Sequence, residues 1–308
     1  MKKISIISLL LVVVASFAQT YTIKLNLKKG ETYSSLIDVK MDMLQKVMGQ
    51  EIPIKMNLSV AYSYKVLGID KDLYTLEGKY NYIGNNVEAM GRNMKMASNT
   101  NDENPINKMF AGMINVPFTL KVKDNGDVAG VEGYEKVVEA MKNALPENMR
   151  EMLSKEFGKS FSKDQVAQSL KSAFFAIPPK AVNVGDTWDA VYTAQNNGVE
   201  MLNKMSCKLE SVDKKSYKIS YTGNLAAKEG GSVEQNGMKM DVKKIDGKMD
   251  GSLVLDKDSA WVKNNDSKGK INMQMEMKMG DQTVPMESMV DMIAVATDAS
   301  MPNLSTGK

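Results

Sequence analysis

The sequence contains no histidine and a single cysteine, Cys207. Without histidine the chain cannot form Ser-His-Asp or Cys-His nucleophile systems, His-ligated zinc sites or an imidazole acid–base pair. One cysteine excludes an internal disulfide and every metal site built from a cysteine cluster. The chain therefore lacks the side chains on which the commonest hydrolase and zinc chemistries depend.

Motifs of other enzyme classes are missing as well. Gly230-Gly231 is not followed by the Lys-Ser/Thr of a phosphate-binding loop. The carboxylate pairs Asp124/Asp127 and Asp256/Asp258 occur in polar turn sequences, where acidic side chains are ordinarily solvated. We therefore expect a non-catalytic protein that uses no cofactor and no metal ion.

The chain also has little net charge. Lys and Arg number 40 against 37 Asp and Glu, and removal of Lys2 and Lys3 with the signal segment described next lowers the formal net charge from +3 to +1. Proteins that bind nucleic acid normally show a clear basic excess. We expect no nucleic-acid partner.

Residues 1–18 have the three parts of a secretory signal peptide. Lys2 and Lys3 precede an apolar run, Ile4–Val14, and Ser16-Phe17-Ala18 places small residues at the −3 and −1 positions of a cleavage site. The run is shorter than the about 20 residues of a transmembrane helix. Gln19 follows instead of the cysteine of a bacterial lipoprotein. We predict cleavage after Ala18 and a periplasmic or secreted protein that neither spans a membrane nor carries a lipid anchor.

Alternation of apolar and polar residues predicts β-strands over most of the remaining chain. From residue 56 every second residue is apolar or aromatic: Met56, Leu58, Val60, Tyr62, Tyr64 and Val66. Alternation over this length is typical of a strand with one buried face. The same period recurs over residues 74–82, 217–221, 238–242 and 273–279.

Helical periodicity separates two β-rich regions. The spacing of Val137, Val138 and Met141 predicts a helix over 134–145. A second stripe over 149–157 and a capping box at Ser162 and Gln165 predict further helices, ending before Pro178-Pro179. The polar run 98–107 predicts a loop. We predict one β-rich domain over 19–308, divided into a first β half (19–131), a helical segment (132–178), a second β half (179–301) and a tail (302–308).

The two β regions contain similar sequence motifs in the same order. Gly30-Glu31-Thr32-Tyr33 matches Gly185-Asp186-Thr187-Trp188, and Ile69-Asp70-Lys71 matches Val212-Asp213-Lys214. The offsets are 155 and 143 residues, so the first half has 12 additional residues in its first long hairpin. We predict an α+β fold: a large curved, half-barrel-like antiparallel sheet made of two similar halves, with the helical segment packed on its apolar face.

Methionine is unusually abundant, with 26 residues, and it follows the strand period. Met273–Met279 places four methionines on one strand face, and Met41/Met43 and Met238/Met240 repeat the pattern on shorter runs. Three interpretations are open. The face can be the packed core of a structural or interaction module of the envelope, because methionine fills irregular gaps. It can line a cavity for a variable hydrophobic ligand, or its soft thioether sulfurs can bind Cu(I).

Our functional expectation follows the second interpretation: non-catalytic binding of a lipid, an acyl chain or another hydrophobic ligand in the bacterial envelope. The candidate apolar face consists of Met41, Met43, Met56, Leu58, Met238, Met240, Met273, Met275, Met277 and Met279, with Phe174 and Phe175 as the lid. Ligand binding predicts an apolar cavity between sheet and helices. A packed face predicts an envelope protein as partner, and copper binding predicts several sulfurs converging away from the core.

Two turn motifs indicate a family. Residues 27–33 read Leu-Lys-Lys-Gly-Glu-Thr-Tyr, and residues 177–188 read Ile-Pro-Pro-Lys-Ala-Val-Asn-Val-Gly-Asp-Thr-Trp. Together with the signal peptide, the chain resembles an uncharacterised family of exported proteins typical of Bacteroidetes-like bacteria, a domain of unknown function. The resemblance implies a periplasmic or outer-membrane-facing location and no particular activity. The predicted architecture is also similar to periplasmic lipoprotein-carrier and mycobacterial lipid-carrier folds, in architecture alone.

Overall fold

The computed structural model describes residues 19–100, 103–151, 162–196, 199–227, 231–235, 238–279 and 282–298. The predicted signal peptide and the tail lie outside these ranges. The strands are β1 (Thr32–Val47), β2 (Gln50–Asp70), β3 (Leu73–Ala89), β4 (Arg92–Ala97), β5 (Phe118–Lys123), β6 (Val128–Glu132), β7 (Thr187–Asn196), β8 (Val199–Val212), β9 (Ser216–Ala227), β10 (Ser232–Gln235), β11 (Met238–Asp256), β12 (Val262–Met279) and β13 (Gln282–Thr297). The helices are α1 (Pro105–Met113), α2 (Glu135–Asn143) and α3 (Lys163–Ala173).

The strands form one antiparallel sheet in the order β6-β5-β3-β2-β1-β13-β12-β11-β9-β8-β7, with β4 paired to β3 and β10 to β11. The first half of the chain starts at the centre of the sheet with β1 and proceeds outward to β6. The second half enters at the opposite edge with β7 and returns to the centre with β13, which pairs with β1. The predicted α+β fold with a large antiparallel sheet is confirmed.

The two halves repeat a local hydrogen-bond pattern. The Gly30 N–H donates to the Val66 carbonyl, and the Gly185 N–H donates to the Leu209 carbonyl, both with N···O distances of 2.8 Å. The register of the β2–β3 pairing shifts directly after Val66, and the register of the β8–β9 pairing shifts directly after Leu209. The first hairpin is longer in the first half, since β1 has 16 residues and β7 has 10. The two sequence tetrads therefore mark equivalent turns.

The main hydrophobic core lies between the helices and the inner face of the sheet. Val137 and Met141 of α2 are buried there, with Leu120 of β5 and Leu209 of β8. Helix α3 contacts both β6 and β7, which are the two edge strands. The sheet therefore curls until its two edges lie on either side of one helix, and α3 covers the inner face where these edges approach each other.

Trp261, in the turn between β11 and β12, joins parts of the chain that are distant in sequence. Its ring centroid lies 5.1 Å from that of Tyr33, 5.7 Å from Tyr64 and 5.4 Å from Phe174. Its indole N–H donates to the backbone carbonyl of Ser34 at 3.1 Å. Trp261 thus connects β1, β2 and the end of α3 to the second half.

Residues 19–28, which we call the N-terminal strap, run in extended conformation across one end of the sheet. Strap N–H groups donate to the backbone carbonyls of Val182, Asp124 and Ser259 at 2.7–2.9 Å. The buried side chains of the strap are Ile23, Leu25 and Leu27. The strap therefore binds to turns of both halves.

The helices differ from the prediction in two respects. Helix α1 begins inside the run 98–107 that predicts a loop, because Asn104 caps it by accepting a hydrogen bond from the Ile106 N–H at 2.9 Å. Pro105 fits the first turn, where its missing N–H costs nothing. Helix α2 confirms the helix expected over 134–145, and α3 ends at Ala173, before the expected end. The stripe over 149–157 lies largely outside the described residues.

Candidate functional site

The register of the sheet brings methionines from distant parts of the chain into one line. A transverse row of directly paired residues crosses ten strands: Met94, Val87, Met56, Met41, Met292, Gly269, Met249, Gly223, Met205 and Ala190. Paired residues of neighbouring strands lie on the same face of a sheet. Met205 is buried in the main core, so the row belongs to the inner face.

Further rows extend the inner face toward the hairpin tips of the long strands, away from the helices. We call this region the methionine face. It consists of Met41, Met43, Val47, Ile52, Ile54, Met56, Met240, Val242, Met273, Met275, Met277, Val284, Met286, Val290 and Met292. None of these side chains is charged, whereas outward neighbours such as Lys40, Asp42 and Lys270 are. The alternation of the strands therefore separates an apolar inner surface from a charged outer one.

The two sides of the methionine face are buried to different degrees. On β11 and β13, Met240 and Met286 are buried, and Met273 of β12 packs against a small second core formed by Val199, Leu225, Val242 and Ile245. On β1 and β2, Met41 and Met56 are half-buried and belong to neither core. The described helices pack mainly on β4, β6 and β7, so the β1–β2 side is an apolar surface that these three helices leave largely uncovered.

The structure brings most of the predicted site residues together. The inner face carries Met41, Met43, Met56, Leu58, Met240, Met273, Met275 and Met277. The backbones of Met238 and Met279 end the ladder at the tips of β11 and β12, and their side chains lie outside the part that the structure describes.

The two expected lid residues lie elsewhere. Phe174 packs against Trp261, and Phe175 packs against Tyr221 with a centroid distance of 5.0 Å. Tyr221 and Leu58 belong to the same transverse row, but five strand steps separate them. The end of α3 therefore covers the β7–β9 side of the sheet and not the methionines of β1 and β2.

Two polar side chains lie in the middle of the methionine face, and the sequence pattern did not single them out. Gln45 and Ser288 pair directly, between Ile52 on one side and Met273 on the other. The Gln45 amide N–H donates to the sulfur of Met286, a weak acceptor. Ser288 is 2% exposed, and its hydroxyl has no hydrogen-bond partner within the described structure. An unpaired buried hydroxyl destabilises the protein in which it is enclosed.

We therefore expect Ser288→Ala to raise the free energy of unfolding of the ligand-free protein by about 1 kcal/mol. Urea denaturation followed by circular dichroism measures the change. The control is Ser267→Ala, since Ser267 is also buried on the inner face but its hydroxyl donates to the Ala294 carbonyl at 3.2 Å. That variant is expected to lose about 1 kcal/mol. Equal losses in both variants would contradict the assignment.

Titratable groups near the inner face are held in their neutral forms. Cys207 is fully buried, and burial raises the pKa of its thiol to about 12. The hydroxyls of Tyr80 and Tyr134 lie 3.0 Å apart, and burial raises the pKa of Tyr134 to about 12. Within the described ranges, no group of three or more His, Cys, Asp or Glu side chains could hold a metal ion. The methionine face itself offers dispersion contacts and thioether sulfur rather than acid–base groups.

Two cavities bear on the expected ligand site. The space between α3 and β7 encloses about 180 Å³ and is lined by aromatic and polar side chains, among them Phe175, Tyr192 and Asp127. A wider groove of about 520 Å³ lies over β8, β9 and β11, and its lining combines polar residues such as Lys204 with the apolar residues Met205 and Met249. Both linings mix apolar and polar side chains, and neither includes a residue of the methionine face.

Among the described residues, no helix combines the length and the apolar character that a bilayer crossing requires.

No curated protein sequence matches the chain. Among solved structures, one of lipovitellin, described as showing lipid–protein interactions, aligns with a TM-score of 0.45 and 11% identity over 92% of this chain. The chain spans 27% of the length of that lipovitellin chain. An outer membrane channel from Pseudomonas putida F1 aligns with a TM-score of 0.24 and 7% identity, over 89% of this chain and 97% of the channel.

A family model does match most of the domain. It covers residues 71–262, from the turn that follows β2 to the start of β12, and therefore includes the helical segment and much of both halves of the sheet. This agrees with the resemblance to an uncharacterised family that the turn motifs indicate. The chain belongs to DUF6263, a family of unknown function.

Proposed function

We propose that this protein is an exported, non-catalytic carrier that holds an acyl chain or another hydrophobic ligand along the methionine face. One observation carries the proposal: Met41, Met43 and Met56 line an inner sheet surface yet remain half-buried and outside both hydrophobic cores. Apolar surface that the described residues leave partly exposed is stabilised when a ligand removes it from water. The predicted signal peptide supports a location outside the cytoplasm.

The dimensions of the methionine face suit an elongated ligand. From Val284 to Met292 of β13 it extends over eight residues, or about 27 Å along the strands. Across β2, β1, β13, β12 and β11 it is four strand spacings wide, or about 19 Å. Flexible thioether side chains adapt to ligands of different shape. A long apolar chain lying along β1 and β2 would therefore contact several methionines at once.

The chemistry of the face restricts the buried part of the ligand to an uncharged group. The described side chains of the methionine face include no charged residue, and an ion buried without a partner is strongly disfavoured. A charged headgroup would remain at the open end of the face in water.

We expect the double substitution Met41→Gln and Met56→Gln to weaken binding of a fluorescent long-chain fatty acid at least tenfold. Glutamine resembles methionine in length but brings a polar amide that an acyl chain cannot satisfy. Fluorescence titration of the protein comprising residues 19–308 measures the affinity. Met289→Gln is the control, because Met289 is 53% exposed on the outer face and pairs with the outward Leu44. Absence of saturable binding by the unsubstituted protein, or an equal loss in the control, would overturn the proposal.

Copper binding is a second candidate because Met56, Met41 and Met292 pair directly on three adjacent strands. Thioether sulfur is a soft ligand that suits Cu(I). Native mass spectrometry of protein purified from an envelope fraction, with and without added Cu(I), separates the two candidates. A lipid mass that disappears on denaturation supports the carrier, whereas a stoichiometric copper adduct abolished by Met41→Leu favours copper.

A further inference from the structure

Two neighbouring hairpins end in the same unusual turn. Met48-Gly49 joins β1 to β2, and Met90-Gly91 joins β3 to β4, each as a two-residue loop between directly paired strand ends. Both methionines are 73% exposed, more than the other exposed large apolar side chains of the described structure. A pair of long apolar side chains therefore projects into solvent from the end of the sheet toward which the methionine face extends.

The backbone at these turns disfavours methionine. Met48 has φ of 51° and Met90 has φ of 52°, and the following glycines also have positive φ, as in a type I′ turn. Asparagine and glycine are preferred at the first position of such a turn because a longer side chain is strained in the left-handed region. Both hairpins thus carry an exposed apolar residue where backbone geometry and solvent each favour a polar one.

The stagger of the ladders displaces one tip relative to the other. The β3–β4 turn begins directly after Ala89, which pairs with Ile54 of β2. The β1–β2 turn lies beyond Gln50, four residues further along the same strand. The β1–β2 tip therefore projects about 13 Å further along the strand direction.

The next hairpin repeats the same step. Val47 at the end of β1 pairs with Met286, and the β12–β13 ladder continues for four more residues to Gln282. Equal steps from hairpin to hairpin place the hairpin ends on one oblique line, as expected for tilted strands in a curled sheet. The Met48 and Met90 tips can therefore reach the same flat surface together.

The charges that flank the Met90 turn are predominantly basic and therefore complementary to an anionic surface. Arg92 and Lys95 are exposed on β4, next to the Met90 turn, and Met94 between them is 54% exposed. The acidic Glu88 pairs with Asn93 in the same hairpin, and at the Met48 turn Lys46 forms an ion pair with Glu51 at 2.9 Å, so the basic excess lies at the Met90 turn. Apolar tips flanked by basic side chains are typical of proteins that dock at a lipid–water interface, where apolar groups insert and cations contact the headgroups.

We propose that the Met48 and Met90 turns are a docking surface for an anionic lipid bilayer, into which both side chains insert. Docking there would place the hairpin-tip end of the methionine face against the lipid surface. The inference goes beyond the proposed carrier function and does not require it, because insertion of the tips depends only on the turns and their flanking charges.

The test is co-sedimentation of the protein with sucrose-loaded vesicles of phosphatidylcholine and phosphatidylglycerol. We expect binding, and we expect the double substitution Met48→Asn and Met90→Asn to weaken it at least tenfold. Because asparagine is favoured in type I′ turns, the same variant is expected to melt at an unchanged or higher temperature. Loss of vesicle binding in this variant therefore cannot result from unfolding.

Two further variants complete the test. Met289→Asn removes a comparably exposed methionine from the outer face and is expected to bind vesicles normally. Arg92→Gln with Lys95→Gln is expected to lose the preference for phosphatidylglycerol over phosphatidylcholine alone. Undiminished vesicle binding by the Asn double variant, or no vesicle binding by the unsubstituted protein, overturns the proposal. Fatty-acid titration of the Asn double variant, expected to be unchanged, tests the carrier function separately.

Discussion

Trp261→Ala is expected to lower the free energy of unfolding by about 3–5 kcal/mol. Trp261 is 4% exposed, and its ring packs against Tyr33, Tyr64 and Phe174. Truncation to alanine removes these contacts and leaves a large cavity at the point where β1, β2, α3 and the second half meet. The remaining structure can collapse into that cavity only in part, because the cavity is bordered by strands of a continuous sheet.

Urea denaturation followed by far-ultraviolet circular dichroism measures this loss. Tryptophan fluorescence is a poor probe here, because the variant retains only one of the two tryptophans of the chain. Trp261→Phe is the control: it keeps an aromatic ring but removes the N–H that donates to the Ser34 carbonyl. We expect that variant to lose less than half as much stability as the alanine variant. A loss below about 1 kcal/mol for Trp261→Ala would show that Trp261 does not join the two halves.

Gly126→Val is expected to destabilise the protein by about 3 kcal/mol. Gly126 lies in the β5–β6 turn with φ of 85°, where a β-branched residue is strained. A Cβ atom at this position would lie 2.5 Å from the Cβ of Phe174, so the end of α3 would have to move. The variant therefore combines backbone strain with a collision at the seam between the two sheet edges.

Gly133→Val separates the two contributions. Gly133 also has positive φ, 74°, but a Cβ atom there would have no neighbour within 4 Å. That variant is expected to lose only the strain contribution, about 1–2 kcal/mol. Thermal and urea denaturation of both variants measure the difference, which reports the packing of α3 against the turn. If the two variants lost the same stability, the contact between Gly126 and Phe174 would be unimportant.

The local structure of this protein is well encoded in its sequence. The alternation of Met273, Met275 and Met277 predicts a shared face, and these side chains do share the inner face of β12. The spacing of Val137 and Met141 predicts α2 in the same way. Both patterns depend only on the period of a strand or a helix, which is a local property.

The period of a strand or a helix does not indicate which distant elements lie next to each other. The pairing of β1 with β13 joins Met41 to Met292, and no sequence pattern indicates that two methionines so far apart lie in one row. Phe174 was expected over the methionines, but periodicity gives no information about which part of a sheet a helix covers. The Met48-Gly49 turn differs from the usual Asn-Gly signal, so the sequence pattern does not mark this hairpin.

The pairing of the first strand with the last one has a consequence for how the chain reaches its native state. Val47 pairs with Met286, and Leu36 pairs with Thr297, so the central ladder closes a loop that contains nearly the whole domain. Contacts of such large sequence separation slow folding, because the chain loses much entropy before they form. As the chain leaves the ribosome or a translocon, one edge of β1 remains unpaired until β13 has emerged. A strand edge open for that time is prone to pair with other chains, so we expect slow, concentration-sensitive refolding.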